Sequence, residues 1–151
     1  MNTPGPDDLP VDDATPAGVA LLDVEGLVRK FQKELNAGLI ALVLLSVLER
    51  AQEDLYGYQI AKRLQGMSDG GSPMKQGALY PVLRTLSAHG LLASRVVPSY
   101  AGPPRRYYRI TDAGRDTLAR WLHVWTTTRD FVDAVAHPAA ATTAPTESER
   151  P

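Results

Sequence analysis

Three observations predict a mainly α domain with a small β-hairpin from this 151-residue sequence. Four segments carry apolar residues at helical spacing. Two short runs, LLASRVV and RRYYRI, flank the proline- and glycine-rich PSYAGPP and read as paired strands with a stiff tip. Prolines also bound the folded part: seven of the twelve lie in residues 1–20 or 137–151, and none lies between Pro16 and Pro73. Residues 1–21 and 137–151 hold too little apolar surface to offset ordering entropy and are expected to stay disordered.

The elements follow in order. The run from Leu21 to Ala51 reads as one long helix or as two, because Gly38 weakens its middle. Its second half is apolar on every face, which predicts burial inside the domain and against something else. A short helix begins near Asp54, a suitable N-cap, with Ile60, Ala61, Leu64 and Met67 on one face. The joint SDGGSP leads to a third helix from about Lys75 to His89. Leu79, Val82, Leu83 and Leu86 form its apolar stripe, and Gly90 is placed to end it. Pro81 is expected within the first turns, where some N–H groups are orphaned in any case. After the hairpin, Thr111 should cap the last helix. There Leu118, Trp121, Trp125, Thr128, Val132 and Val135 recur at spacings of three and four, a seam that suits pairing with another helix, and His137-Pro138 ends it. Helix, short helix, helix, basic hairpin is the order of a winged helix-turn-helix. The domains expected are therefore a winged helix at 22–110 and a C-terminal helix at 111–136 that suits pairing with another helix.

Charge supports a function for this arrangement. The net charge of −1 hides a segregated distribution: residues 1–28 carry six acids and no base, while residues 29–120 carry fourteen bases and seven acids. From Lys75 to Arg109 there are six bases (Lys75, Arg84, Arg95, Arg105, Arg106, Arg109) and no acid. A surface that meets a polyanion needs this bias, since every acid would repel it. A merely solvated basic face is the bland alternative.

Three blocks in this order, YGYQIAKRL (Tyr56–Leu64), GALYPVLRTLSAHGLL (Gly77–Leu92) and GPPRRYYRITDAGRDTL (Gly102–Leu118), resemble the PadR family of bacterial transcriptional regulators. The likeness covers about residues 35–135, and a single helix after the wing resembles the family's shorter branch. It implies a winged helix with a dimerisation helix, acting as a homodimeric repressor that leaves its operator when a small molecule binds. Lys75 and Gln76 stand where the family often has a small hydroxyl residue, and Ala78 where Thr is common, so base preference does not carry over. The acidic N-terminal extension lies outside the family core.

The residues expected at double-stranded DNA are Tyr58, Lys75, Gln76, Ala78, Tyr80, Arg84, Gly102, Arg105 and Arg106. Arg grips guanine O6 and N7, and Gln pairs with adenine N6 and N7, so these types suit major-groove readout. Tyr58, at the start of the second helix, has a hydroxyl near orphan N–H groups that can hold a phosphate, or else is a core aromatic. The family's tyrosine at position 80 faces DNA, whereas a half-buried ring under the helix is the alternative. Arg105 and Arg106 point to opposite faces of a regular strand, yet at the tip both could reach DNA. One of Tyr107 and Tyr108 is expected in the core. A two-fold dimer predicts an inverted-repeat operator.

Trp125 aligns with a family tryptophan that sandwiches flat aromatic ligands across the dimer axis. The resemblance therefore suggests a planar aromatic effector held by Ala41, Leu42, Trp121, Leu122, Trp125, Arg129 and Val132. Plain packing of the seam is the alternative reading of these aromatics.

Other chemistry finds little support. With no cysteine, disulfides, thiol catalysis and cysteine-built metal centres are excluded, which fits a reducing compartment. His89, His123 and His137 are isolated from ligands or nucleophiles, and GMSDGG lacks the lysine and hydroxyl of a phosphate loop. No enzyme activity, cofactor or metal is expected. The N-terminus lacks the pattern of a secretory signal, and the longest uncharged apolar run, Ala37–Leu48, is too short for a bilayer, so a cytoplasmic location without membrane contact is expected. Two rival functions remain from sequence: a winged-helix module that binds protein, and a ligand-binding dimer that does not regulate DNA.

Overall fold

The computed structural model describes residues 22–139. The tails expected to be disordered fall almost wholly outside those residues, at 1–21 and 140–151. The element order is α1 (Val24–Ala51), β1 (Leu55–Tyr56), α2 (Gly57–Gln65), α3 (Gln76–Ala88), β2 (Leu92–Val97), β3 (Arg105–Ile110) and α4 (Asp112–Ala136). A mainly helical chain with a small antiparallel sheet is the predicted fold class. The sheet has one strand more than the hairpin: β1 joins the outer side of β3, giving the order β1-β3-β2. Two residues are too few for any alternating pattern, so β1 leaves no periodic signal in the sequence.

Among the described residues, those up to Glu34 and those from Leu35 onward form separate units. In the first, Asp23 caps α1 by accepting from the Gly26 N–H at 2.9 Å. Exposed Val24, Leu27, Val28 and Phe31 line the opening turns. Helix α1 runs through Gly38 without a break, so one helix stands where sequence allowed two. By length and composition this 28-residue helix could cross a membrane. Its second half supplies the centre of the core, a role that passes the same hydropathy test: Ile40, Leu44, Leu45, Val47 and Leu48 are buried.

Around that stripe pack Leu55, Ile60, Ala61 and Leu64, then Leu79, Leu83 and Leu86, and finally Leu92, Tyr108, Ile110 and Leu118. Met67, expected on the buried face of α2, lies beyond the helix end and is exposed. Gly90 ends α3 as expected. At φ +75° it adopts the left-handed conformation that lets Leu91 N–H reach the Leu86 carbonyl and its own N–H reach that of Ser87. Pro81 lies within the first two turns of α3, as expected, but as the sixth residue it is past the orphaned N–H groups. The N–H it lacks would have met the Gly77 carbonyl four residues earlier. Thr111 caps α4, its hydroxyl accepting from Gly114 N–H at 3.0 Å and donating to the Gly90 carbonyl at 2.7 Å. His137 closes that helix through its N–H on the Asp133 carbonyl.

Asp54 is a correction. It does not cap α2, whose N-cap is Tyr56. The extra strand moves the helix start two residues on, and Asp54 instead accepts from Arg95 Nε at 2.8 Å and from Arg109 Nε. The Arg95 hydrogen bond holds the Asp54 carboxyl below its ordinary value of 3.8, with Arg109 helping and burial opposing. Folding lowers this pKa, so the contribution is present above 3.8 and is lost as pH falls through the folded value. Both arginines are largely exposed, so Asp54→Asn is expected to cost only about 1 kcal/mol. In acid titrations followed by circular dichroism, the variant should lose less stability below pH ~4 than the parent chain. An unchanged acid limb would show that the pair is idle.

Candidate nucleic-acid interface

The joint between α2 and α3 is pinned before α3 begins. Ser68 donates to the Gly71 carbonyl, and Asn36 of α1 donates to the Pro73 carbonyl at 3.0 Å. Gly71, at φ +75°, makes the turn possible. Helix α3 then starts with Lys75 as its N-cap and presents Lys75, Gln76, Ala78 and Arg84 to solvent while Leu79, Leu83 and Leu86 face the core.

Tyr80 lies between these faces and is about one-third exposed (36 %). Its ring rests on the start of α2: a Cβ at Gly57 would come within 2.3 Å of Tyr80 Cε1. Its hydroxyl accepts from Gln76 Nε2 at 3.2 Å. Tyr58 is about half exposed (48 %), so the core alternative does not hold for it.

The hairpin sorts its side chains by register. Val96 pairs with Arg106, Arg95 with Tyr107 and Ser94 with Tyr108. Tyr108 is the tyrosine in the core, as one of the two was expected to be. Burial pushes its hydroxyl above the ordinary 10.0, while the nearby charges of Arg106 and Arg84 pull it down. Arg106 also donates to Ser94 Oγ at 3.1 Å.

Arg105 lies on the opposite face, as alternation requires. There it stacks over the Tyr56 ring at 4.6 Å, Arg95 stacks over Tyr107 at 5.1 Å, and Lys62 lies 5.5 Å from the Tyr58 ring centre. Tyr56 meets Tyr107 edge-on. Sequence reasoning missed this aromatic and cationic lattice, because it depends on β1 pairing Tyr56 with Tyr107. The acid-free stretch is likewise not acid-free in space, since Asp54 engages two of its six bases. The other four, Lys75, Arg84, Arg105 and Arg106, keep clear of acids among the ion pairs of the described residues, and Gly102 lies at the tip between the strands.

The model of the Transcriptional regulator PadR-like family matches residues 44–120, which is half of the sequence. The chain belongs to this family. Similar proteins include a PadR family transcriptional regulator from Eggerthella lenta, 33 % identical with a TM-score of 0.64, over 76 % of this chain and 96 % of that one. A PadR family regulator from Clostridium difficile is 27 % identical with a TM-score of 0.53, over 65 % and 98 %. Transcriptional regulator Rv3488 of Mycobacterium tuberculosis is 38 % identical over 94 residues, 60 % of this chain and 76 % of its own.

For a PadR-like chain, α4 leaves much apolar surface open. Leu118 is buried and Trp121 packs partly on the core, but Leu122, Val124, Phe131, Val132 and Val135 are exposed. Of the proposed effector residues, Ala41, Leu42 and Trp121 pack against the core, Trp125 is half-buried, and Arg129 bonds to Asp130. A cleft of about 190 Å³ between α1, β3 and α4 is lined by other residues, among them Glu49, Glu53, Arg109 and Arg115.

Proposed function

We propose that this PadR-like regulator is a cytoplasmic homodimer that binds an inverted-repeat operator, acts as a repressor, and is released by a planar aromatic or hydrophobic effector. The observation that carries the DNA reading is the exposed face of α3, which presents Lys75, Gln76, Ala78 and Arg84 to solvent while its leucines face the core. Helix α3 would lie in the major groove with Lys75, Gln76 and Ala78 at its entering end, and the Gly102 tip would follow the backbone or minor groove. Arg105, held over Tyr56 on the other face, has a structural role in this reading.

The exposed apolar residues of α4 support a partner helix from a second copy. A two-fold seam would set Trp125 and its mate face to face, which would give a flat effector two aromatic walls. Release requires that the effector bind two dimer geometries unequally.

The test is DNA binding at stepped salt, with the fluorescence of Trp121 and Trp125 recorded against planar aromatic compounds. Affinity for upstream DNA should fall linearly on a log–log plot, by ~0.9 per phosphate contacted. Quenching should saturate, vanish in Trp125→Ala and be opposed by DNA. Salt-insensitive or absent DNA binding would sink the regulator reading. Tight DNA binding without quenching would remove the effector and leave the tryptophans as packing.

A further inference from the structure

We propose that Tyr80 is a positioning residue that holds the Gln76 amide for an adenine, so that this pair specifies one base of each half-site. The inference rests on the DNA-binding reading above and deepens it.

The argument starts at Gly57. With no side chain there, the Tyr80 ring lies against the backbone at the start of α2, where any Cβ would intrude to 2.3 Å. The ring is therefore located by packing, and its hydroxyl is a point fixed relative to both helices of the reading unit. Gln76 sits one turn earlier on the same face of α3, the i, i+4 relation that brings side chains together. Its Nε2 donates to that hydroxyl at 3.2 Å.

A primary amide has two N–H groups and one carbonyl oxygen. Using one N–H on Tyr80 leaves the oxygen and the second N–H. Those are the two groups that adenine complements, its N6 donating to the oxygen and its N7 accepting from the N–H. Guanine presents two acceptors, N7 and O6, and would set O6 against the amide oxygen. Gln76 is the first residue of α3, and the N-terminal residues of a reading helix are the ones that reach base edges. A free glutamine would pay rotamer entropy to adopt this pose, and the hydroxyl removes part of that cost before DNA arrives.

Binding sites are selected from a randomised duplex library by the parent chain, by Gln76→Ala and by Tyr80→Phe. Phenylalanine keeps the ring on Gly57 and deletes only the hydroxyl, so the fold is retained. The parent chain is expected to enrich adenine at one position per half-site. Both variants should lose about tenfold of that preference, with the rest of the motif and the salt slope intact. Replacing that adenine by 7-deazaadenine should weaken the parent chain and leave both variants nearly unaffected.

An adenine preference that survives Gln76→Ala overturns the proposal. So does a Tyr80→Phe motif identical to the parent's, or a uniform loss of affinity with no positional change. A parent chain that enriches no sequence overturns the regulator reading itself and this inference with it.

Discussion

Gly114→Ala is expected to destabilise the fold by about 3 kcal/mol, although alanine is the better helix former. Propensity alone would favour alanine by up to ~1 kcal/mol in a helix interior. The surroundings reverse the sign. A Cβ at position 114 would meet the Leu91 carbonyl oxygen at 2.2 Å and Ile110 Cγ1 at 2.7 Å. The isoleucine could turn aside, but the carbonyl is backbone and is held by Thr111 N–H at 3.1 Å. Relief therefore means lifting the start of α4. That would loosen the Thr111 cap and pull at buried Leu118, one turn on. The cap alone contributes ~1 kcal/mol, and overpacking adds 1–3. Urea unfolding at equal protein concentration measures the difference. A variant as stable as the parent chain would mean that α4 is free to ride outward.

The elements legible in the sequence were those that carry their own signal. Leu79, Leu83 and Leu86 repeat at helical spacing and are buried together, and Gly90 and Thr111 mark a helix end and a helix start by conformational chemistry that is local. Asp54 shows where this stops. Alone it is a good cap, and its true partners, Arg95 and Arg109, are 41 and 55 residues away. A two-residue strand decides the matter, and two residues have no period. Arg105 and Arg106 show the same limit on function. Strand alternation told that they face apart, but which face meets α3 depends on Tyr108 entering the core. The effector set was drawn from helix positions and family likeness, and the cleft between α1, β3 and α4 is lined by other residues.

That division of the wing leads to the second large effect. Arg84→Ala combined with Arg106→Ala is expected to weaken operator binding on the order of 100-fold at physiological salt, since a hydrogen bond from a charged donor contributes ~1.5–3 kcal/mol. Each lost phosphate contact should also reduce the log–log salt slope by about one. Neither side chain is buried in the core, so the variant should unfold at nearly the same denaturant concentration as the parent chain. The comparison that gives the result meaning is Arg95→Ala with Arg105→Ala, which removes the same charge from the same hairpin. Those two guanidiniums lie over Tyr107 and Tyr56 on the far face, and Arg95 is already committed to Asp54. If net charge alone drew DNA to the wing, the two double variants would lose affinity equally, with equal slopes. If the contact is made by the face that α3 and β3 share, the first pair collapses binding and the second changes it less than tenfold, with its cost appearing in the stability of the β1–β3 pairing. Equal losses would return the basic stretch to what the sequence alone allows, a solvated positive face without an address on DNA.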